Sequence, residues 1–92
     1  MTVERFRDDD HGYAAWLAEN PQGYVLNSQR SLNPSGARVH GAGCRTITGT
    51  PARGSTWTGP YIKACSLSLP ELENWALVNT RSVVARCGTC HW

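Results

Sequence analysis

Gly23-Tyr24-Val25-Leu26-Asn27-Ser28-Gln29-Arg30 is the stretch on which the fold turns. It is rich in strand-forming residues, and its alternation puts Tyr24, Leu26, Ser28 and Arg30 on one face and Val25, Asn27 and Gln29 on the other. Leu32-Asn33-Pro34-Ser35-Gly36 follows with turn chemistry. A second strand over 37–40 then closes an antiparallel hairpin. Gly41-Ala42-Gly43 breaks that strand just before Cys44 and leaves the backbone free to curl, and a further short strand is expected over 45–48.

Upstream of the hairpin, Asp8, Asp9 and Asp10 supply N-caps and favourable dipole charge for a helix near 9–19. Tyr13, Trp16 and Leu17 form its i, i+3, i+4 apolar stripe, and Pro21 ends it. Downstream, 49–55 is small, flexible and basic, a surface loop suited to recognition. Strand composition returns over 56–65, where Gly59-Pro60 implies a bulge or an edge. Ser68-Leu69-Pro70-Glu71 then starts a second helix: Ser68 caps, Pro70 sits in the first turn, and Glu71 completes a capping box. Leu69, Leu72, Trp75 or Ala76, and Leu77 supply its buried stripe. The fold class expected is therefore α+β: one small domain over 1–92, an antiparallel sheet of three to four strands flanked by two helices.

Ninety-two residues make one domain, and a domain this small buries a modest share of its surface. A staple would help it fold. Four cysteines offer one: Cys44, Cys65, and the Cys87-Gly88-Thr89-Cys90 hook, spaced C-x20-C-x21-C-x2-C. A C-x2-C turn holds two thiolates about one ion's width apart, and two further cysteines fill a tetrahedral zinc shell. His40, four residues before Cys44, and His91 are alternative ligands. Disulfides are the competing use of four cysteines in a short chain. Residues 1–30 carry no apolar segment of the export type, however, which favours a reducing, cytoplasmic setting. A thioredoxin-like redox pair would open a helix rather than follow one. No stretch approaches the length of a membrane span.

The net charge of +2 hides an uneven distribution. All seven acids lie at or before Glu19 or at or after Glu71, while Arg30, Arg38, Arg45, Arg53 and Lys63 fall in the acid-free interval between. A surface that meets phosphates excludes carboxylates from its contact face; a few solvated arginines on loops are the plainer explanation. Asn27 and Asn33 are candidates for base-edge hydrogen bonds, and Trp57 is either a core anchor or an exposed contact beside the basic loop. No phosphate loop, dinucleotide fingerprint, zinc-protease motif or nucleophile elbow is present. A four-ligand zinc site would leave no open position for a catalytic water. The chain reads as a binder, not an enzyme.

Gly23-Tyr24-Val25-Leu26-Asn27 with Arg30, His40-x3-Cys44-Arg45-Thr46-Ile47, Trp57-Thr58 with Tyr61-Ile62-Lys63-x-Cys65, Glu71-Leu72-x2-Trp75-Ala76 and Cys87-Gly88-x-Cys90 together resemble a small cysteine-containing, zinc-binding domain of bacterial HNH-type, modification-dependent restriction proteins. The likeness runs from about Phe6 to Cys90 and departs from the pattern at Gly41–Gly43, where a basic residue would follow the histidine. It implies a reader of double-stranded DNA carrying 5-methylcytosine, with cleavage left to a fused or partner HNH nuclease. The methyl group projects into the major groove beside the guanine acceptors of a CpG step, so Arg30, Arg38, Arg45 and Arg53 are candidate forks and Trp57 a candidate apolar wall. A zinc-stabilised protein–protein adaptor and a disulfide-stabilised secreted protein are the alternative readings.

Overall fold

The computed structural model describes residues 3–29, 31–32, 36–44, 47, 58 and 61–87. It contains strand β1 (Glu4–Phe6), helix α1 (Asp10–Glu19), strands β2 (Tyr24–Gln29), β3 (Arg38–Gly41) and β4 (Tyr61–Ser66), and helix α2 (Leu69–Thr80). The strands form one antiparallel sheet in the order β1-β4-β2-β3. This is the α+β architecture that the sequence implies. β1 was not anticipated, since three residues carry too little periodicity to announce a strand. The strand expected over 56–65 is β4 from Tyr61 onward; its first part, the strand expected over 45–48, and Arg30 fall largely outside the described residues.

Register gives the sheet two chemically different faces. Val25 opposes both His40 and Cys65, and Asn27 opposes both Arg38 and Lys63, so these six side chains share the α1 side. Leu26, Val39 and Ala64 point the other way and pack with Leu72, Ala76 and Val84 beneath α2. The α1 side gathers Tyr13, Trp16, Val25, Ala42, Cys44, Ile47, Cys65 and Cys87. Among the described residues no helix is long and apolar enough to cross a membrane.

Local chemistry fixes both helices. Asp9 caps α1 by accepting from Gly12 N at 2.9 Å. Thr58 then locks that end: its hydroxyl accepts from Asp9 N (2.7 Å) and donates to Asp10 Oδ1 (2.6 Å), while its own N–H donates to the same oxygen (2.7 Å). In α2 the buried positions are Leu72, Ala76 and Thr80. Leu77 is 46% exposed, contrary to the expected stripe. Spacing explains the difference, because 69, 72, 76 and 80 lie on one helical face and 77 lies off it. Thr80 is tolerated inside because its hydroxyl donates to Ala76 O at 2.6 Å.

Trp16 reaches the sheet only because position 23 lacks a side chain. A Cβ at Gly23 would lie 2.5 Å from the Trp16 ring and 3.2 Å from Ser66 O. Gly23→Ala should therefore lower stability by about 1–3 kcal/mol through overpacking, measured by urea unfolding. A change within error would mean that the indole shifts at no cost.

Candidate metal centre

The hairpin's outer strand and the chain that follows α2 build one site. At the end of β3 the backbone turns sharply: Cys44 N donates to Gly41 O at 3.0 Å, Ile47 N to Cys44 O at 3.1 Å, and Ala42 N to Gly23 O at 2.9 Å. These turns fold Cys44 back toward His40. Cys87 arrives from the other direction. Val39 and Arg86 form an isolated parallel bridge, with Val39 N donating to Ala85 O (3.0 Å) and Cys87 N to Val39 O (2.7 Å). Alternation then separates Arg86, ion-paired to Glu73 of α2 at 3.2 Å, from Cys87, which joins the α1-side cluster.

The result is a buried His40, Cys44 and Cys87 group whose ligand atoms all lie within 4.8 Å of one another. Tetrahedral zinc with bonds of about 2.0–2.3 Å needs its ligand atoms about 3.5–3.8 Å apart, so a small contraction would close this group on an ion. One imidazole and two thiols are a donor set suited to a borderline-soft metal. The group can hold a metal ion. Burial, reinforced by the nearby Lys63 and Arg38 charges, pulls the His40 pKa down to about 4. His40 is thus a neutral imidazole with a lone pair to offer at neutral pH.

This set differs from four cysteines at one described position. Cys65 is fully buried but lies outside the converging group. It sits on β4, across Val25 from His40, and strands are spaced about 4.8 Å apart, so two spacings separate it from the histidine's strand. Burial pushes its thiol pKa well up, which keeps it protonated and apolar in character. His40, an alternative ligand on sequence grounds, is the residue that stands with Cys44 and Cys87. Cys90 and His91 lie outside the described residues, as do Arg30, Asn33, Arg45, Arg53 and Trp57.

The three described members of the expected DNA-contact set form one lateral row. Arg38 is exposed on β3, Asn27 is half-buried on β2, and Lys63 is buried on β4. Lys63 Nζ donates to Asn27 Oδ1 at 2.6 Å and lies 5.8 Å from the Tyr13 ring centre and 5.7 Å from that of Tyr61. A lysine in an acid-free interval suggests an exposed charge, whereas this one is 2% exposed. Its signal in the sequence was the two-residue offset from Cys65, which puts both on one face of the strand. Burial lowers its pKa to about 8.

Comparison with protein-family models, with curated proteins and with solved structures found no match to this chain.

Two outcomes follow from the geometry. His40→Ala, Cys44→Ser and Cys87→Ser should each abolish stoichiometric zinc binding, whereas Cys65→Ala should keep the metal and lose about 1 kcal/mol of stability from core packing. Elemental analysis with denaturation checks this; zinc loss in Cys65→Ala would restore the four-cysteine set. For Lys63, a folded pKa of about 8 against 10.5 when free means that the unfolded chain binds more protons between those values. The lysine's contribution to stability should therefore rise with pH through that window. The stability of wild type relative to Lys63→Met should increase from about pH 8 to 10.5, and a flat difference would show an ordinary ammonium.

Proposed function

We propose that this chain is a zinc-stapled module that binds double-stranded DNA and reads 5-methylcytosine, acting as the recognition part of a restriction system whose cleavage chemistry resides in an HNH nuclease. One observation carries this reading. The metal-ligand pair His40 and Cys44 lies inside the acid-free interval, bracketed in sequence by Arg38 and Arg45. A metal there would fix the backbone from which these arginines project, and rigid placement is what a bidentate guanine contact requires. Zinc is the metal that the donor set fits, with Cys90 of the hook as the fourth ligand.

Charge placement supports it. The sheet order puts Glu4 of β1 and the Arg38-bearing β3 at opposite edges. Glu73 of α2 is ion-paired with Arg86, the residue that bridges to Val39 of β3. The basic forks remain Arg30, Arg38, Arg45 and Arg53, with Trp57 as the methyl-contacting wall. Lys63 and Asn27 have a different part: bonded to each other, they tie β4 to β2, the strand with which β3 pairs.

An adaptor role is favoured by a separate observation, the exposure of Leu67 (56%), Val78 (67%) and Val83 (82%). Salt distinguishes the two. DNA affinity should fall steeply as salt rises, because counterions are displaced, and Arg38→Ala should weaken binding and flatten that slope by about one. Methylated duplex should bind several-fold tighter than unmethylated duplex of the same sequence, one methyl contact being worth about 1 kcal/mol. Fluorescence titration at two salt concentrations measures all three. Equal affinity for both duplexes removes the methyl reading, and no duplex binding at low salt removes the DNA reading.

A further inference from the structure

Cys44 and Cys87 come together from distant parts of the sequence. Cys44 stands on the turn after β3, and Cys87 is set beside that strand by its own N–H, which donates to Val39 O at 2.7 Å. With His40 they form the group whose ligand atoms all lie within 4.8 Å of one another, so the two sulfurs are neighbours in the fold itself. A disulfide needs its sulfurs at about 2.05 Å. One rotamer change swings a cysteine sulfur by up to about 3 Å, which brings a bond between them within reach of side-chain rotation.

Among the described cysteines these two alone are so placed. Cys65 is fully buried on β4 and lies outside the group. Cys44 and Cys87 keep 8% and 9% of their surfaces exposed. The segment that carries Cys87 is held to β3 by an isolated bridge rather than a full ladder, and Ala85 and Arg86 before it are exposed. A segment with so few backbone bonds opens locally at low cost, which admits a small oxidant to the pair while the enclosed Cys65 stays inert.

We propose that Cys44 and Cys87 form a redox switch of the metal centre: a peroxide joins them as a disulfide, which expels the metal and leaves the same two chain segments cross-linked. What is expelled rests on the metal reading above; the pairing rests on the geometry of the two cysteines. One thiolate attacks the O–O bond of the peroxide and becomes a sulfenic acid, and the departing oxygen takes a proton and leaves as water. The second thiolate attacks that sulfur, forms the S–S bond and displaces the sulfenic oxygen, which leaves as water with a second proton. Two electrons thus pass from the sulfurs to the peroxide. The metal loses two anionic ligands at once, since the thiolate is the form that binds it. The backbone bonds of Val39 to Ala85 and Cys87 involve neither sulfur, so the path of the chain is kept.

The test treats the reduced, zinc-loaded full chain with graded hydrogen peroxide, stops the reaction with catalase and alkylates the remaining thiols in denaturant. A chromogenic chelator should record zinc release in step with disulfide formation. Peptide mapping should join Cys44 to Cys87 and find Cys65 alkylated; fragmentation places the bond, because cleavage after Arg86 leaves Cys87 and Cys90 in one peptide. Near-ultraviolet circular dichroism should stay that of a folded chain, and a thiol reductant with added zinc should restore the starting state. Cys65→Ala should release zinc with the same dose dependence as wild type. A bond between Cys87 and Cys90, any bond to Cys65, sulfinic acids in place of a disulfide, or unfolding on oxidation overturns the proposal. A reduced chain that takes up no zinc removes the metal reading instead, and the peptide map still decides the pairing.

Discussion

Both backbone hydrogen-bonding groups of Val39 are committed to the chain that follows α2: its N–H donates to Ala85 O, and its carbonyl accepts from Cys87 N. The metal-competent group depends on this pair of bonds. An antiparallel strand directs alternate residues' backbone groups outward, and β3 would otherwise present Val39 as an unpaired edge. The parallel segment covers that edge and, in the same step, delivers Cys87 beside the residue after Val39, which is His40. Ligands from distant parts of the sequence thus meet because one strand edge needed covering. A metal held there would cross-link the hairpin to the end of α2's return, and such binding energy is folding energy.

Electrostatics on the α1 side is arranged around the same group. Two thiolates, a further thiolate and a neutral imidazole around zinc would carry one net negative charge. Lys63 and Arg38, whose charges reinforce burial in keeping His40 neutral, stand on the neighbouring row of the same face. Positive charge nearby would lower the cost of burying such an anionic complex. With a metal held there, the burial of Lys63, unfavourable taken alone, would have a partner beyond Asn27. The tyrosine rings that flank its ammonium restore part of the lost hydration.

The legible parts of the fold were those written in short-range chemistry. Asp9 and Ser68 as caps and the Tyr13 and Trp16 stripe rest on interactions within a few residues, and the β2–β3 pairing joins strands that are neighbours in sequence. β1 and the 85–87 segment were not legible, since a three-residue strand and an isolated bridge are chosen by the partner edge rather than by their own periodicity. The candidate site divides along the same line. Cys44 and His40 could be paired by spacing, and Cys87 by its hook, but placing Cys65 needed the sheet order. Register alone puts Val25 between Cys65 and His40. The acid-free interval, likewise, could not reveal that Lys63 folds inward, because net charge along a sequence carries no information about which strand face a residue takes.

The two sides of the sheet also differ in what could hold them together without a metal. Beneath α2 the cluster is Leu, Ala and Val, side chains whose burial is favourable by itself. Beneath α1 Tyr13, Trp16, Val25, Ala42 and Ile47 pack with Cys44, Cys65 and Cys87, and His40 and Lys63 are buried on the same side. Thiols and an imidazole bring less transfer free energy than aliphatic groups of similar size, and the ammonium opposes burial. That side already uses Thr58 to clamp α1 and the Tyr13 hydroxyl to hold Ile47 O at 2.9 Å, both substitutes for apolar packing. In a chain this short, with a core divided by its own sheet, a cross-link contributes most in the half that also buries an imidazole and an ammonium. His40, Cys44 and Cys87 converge in that half.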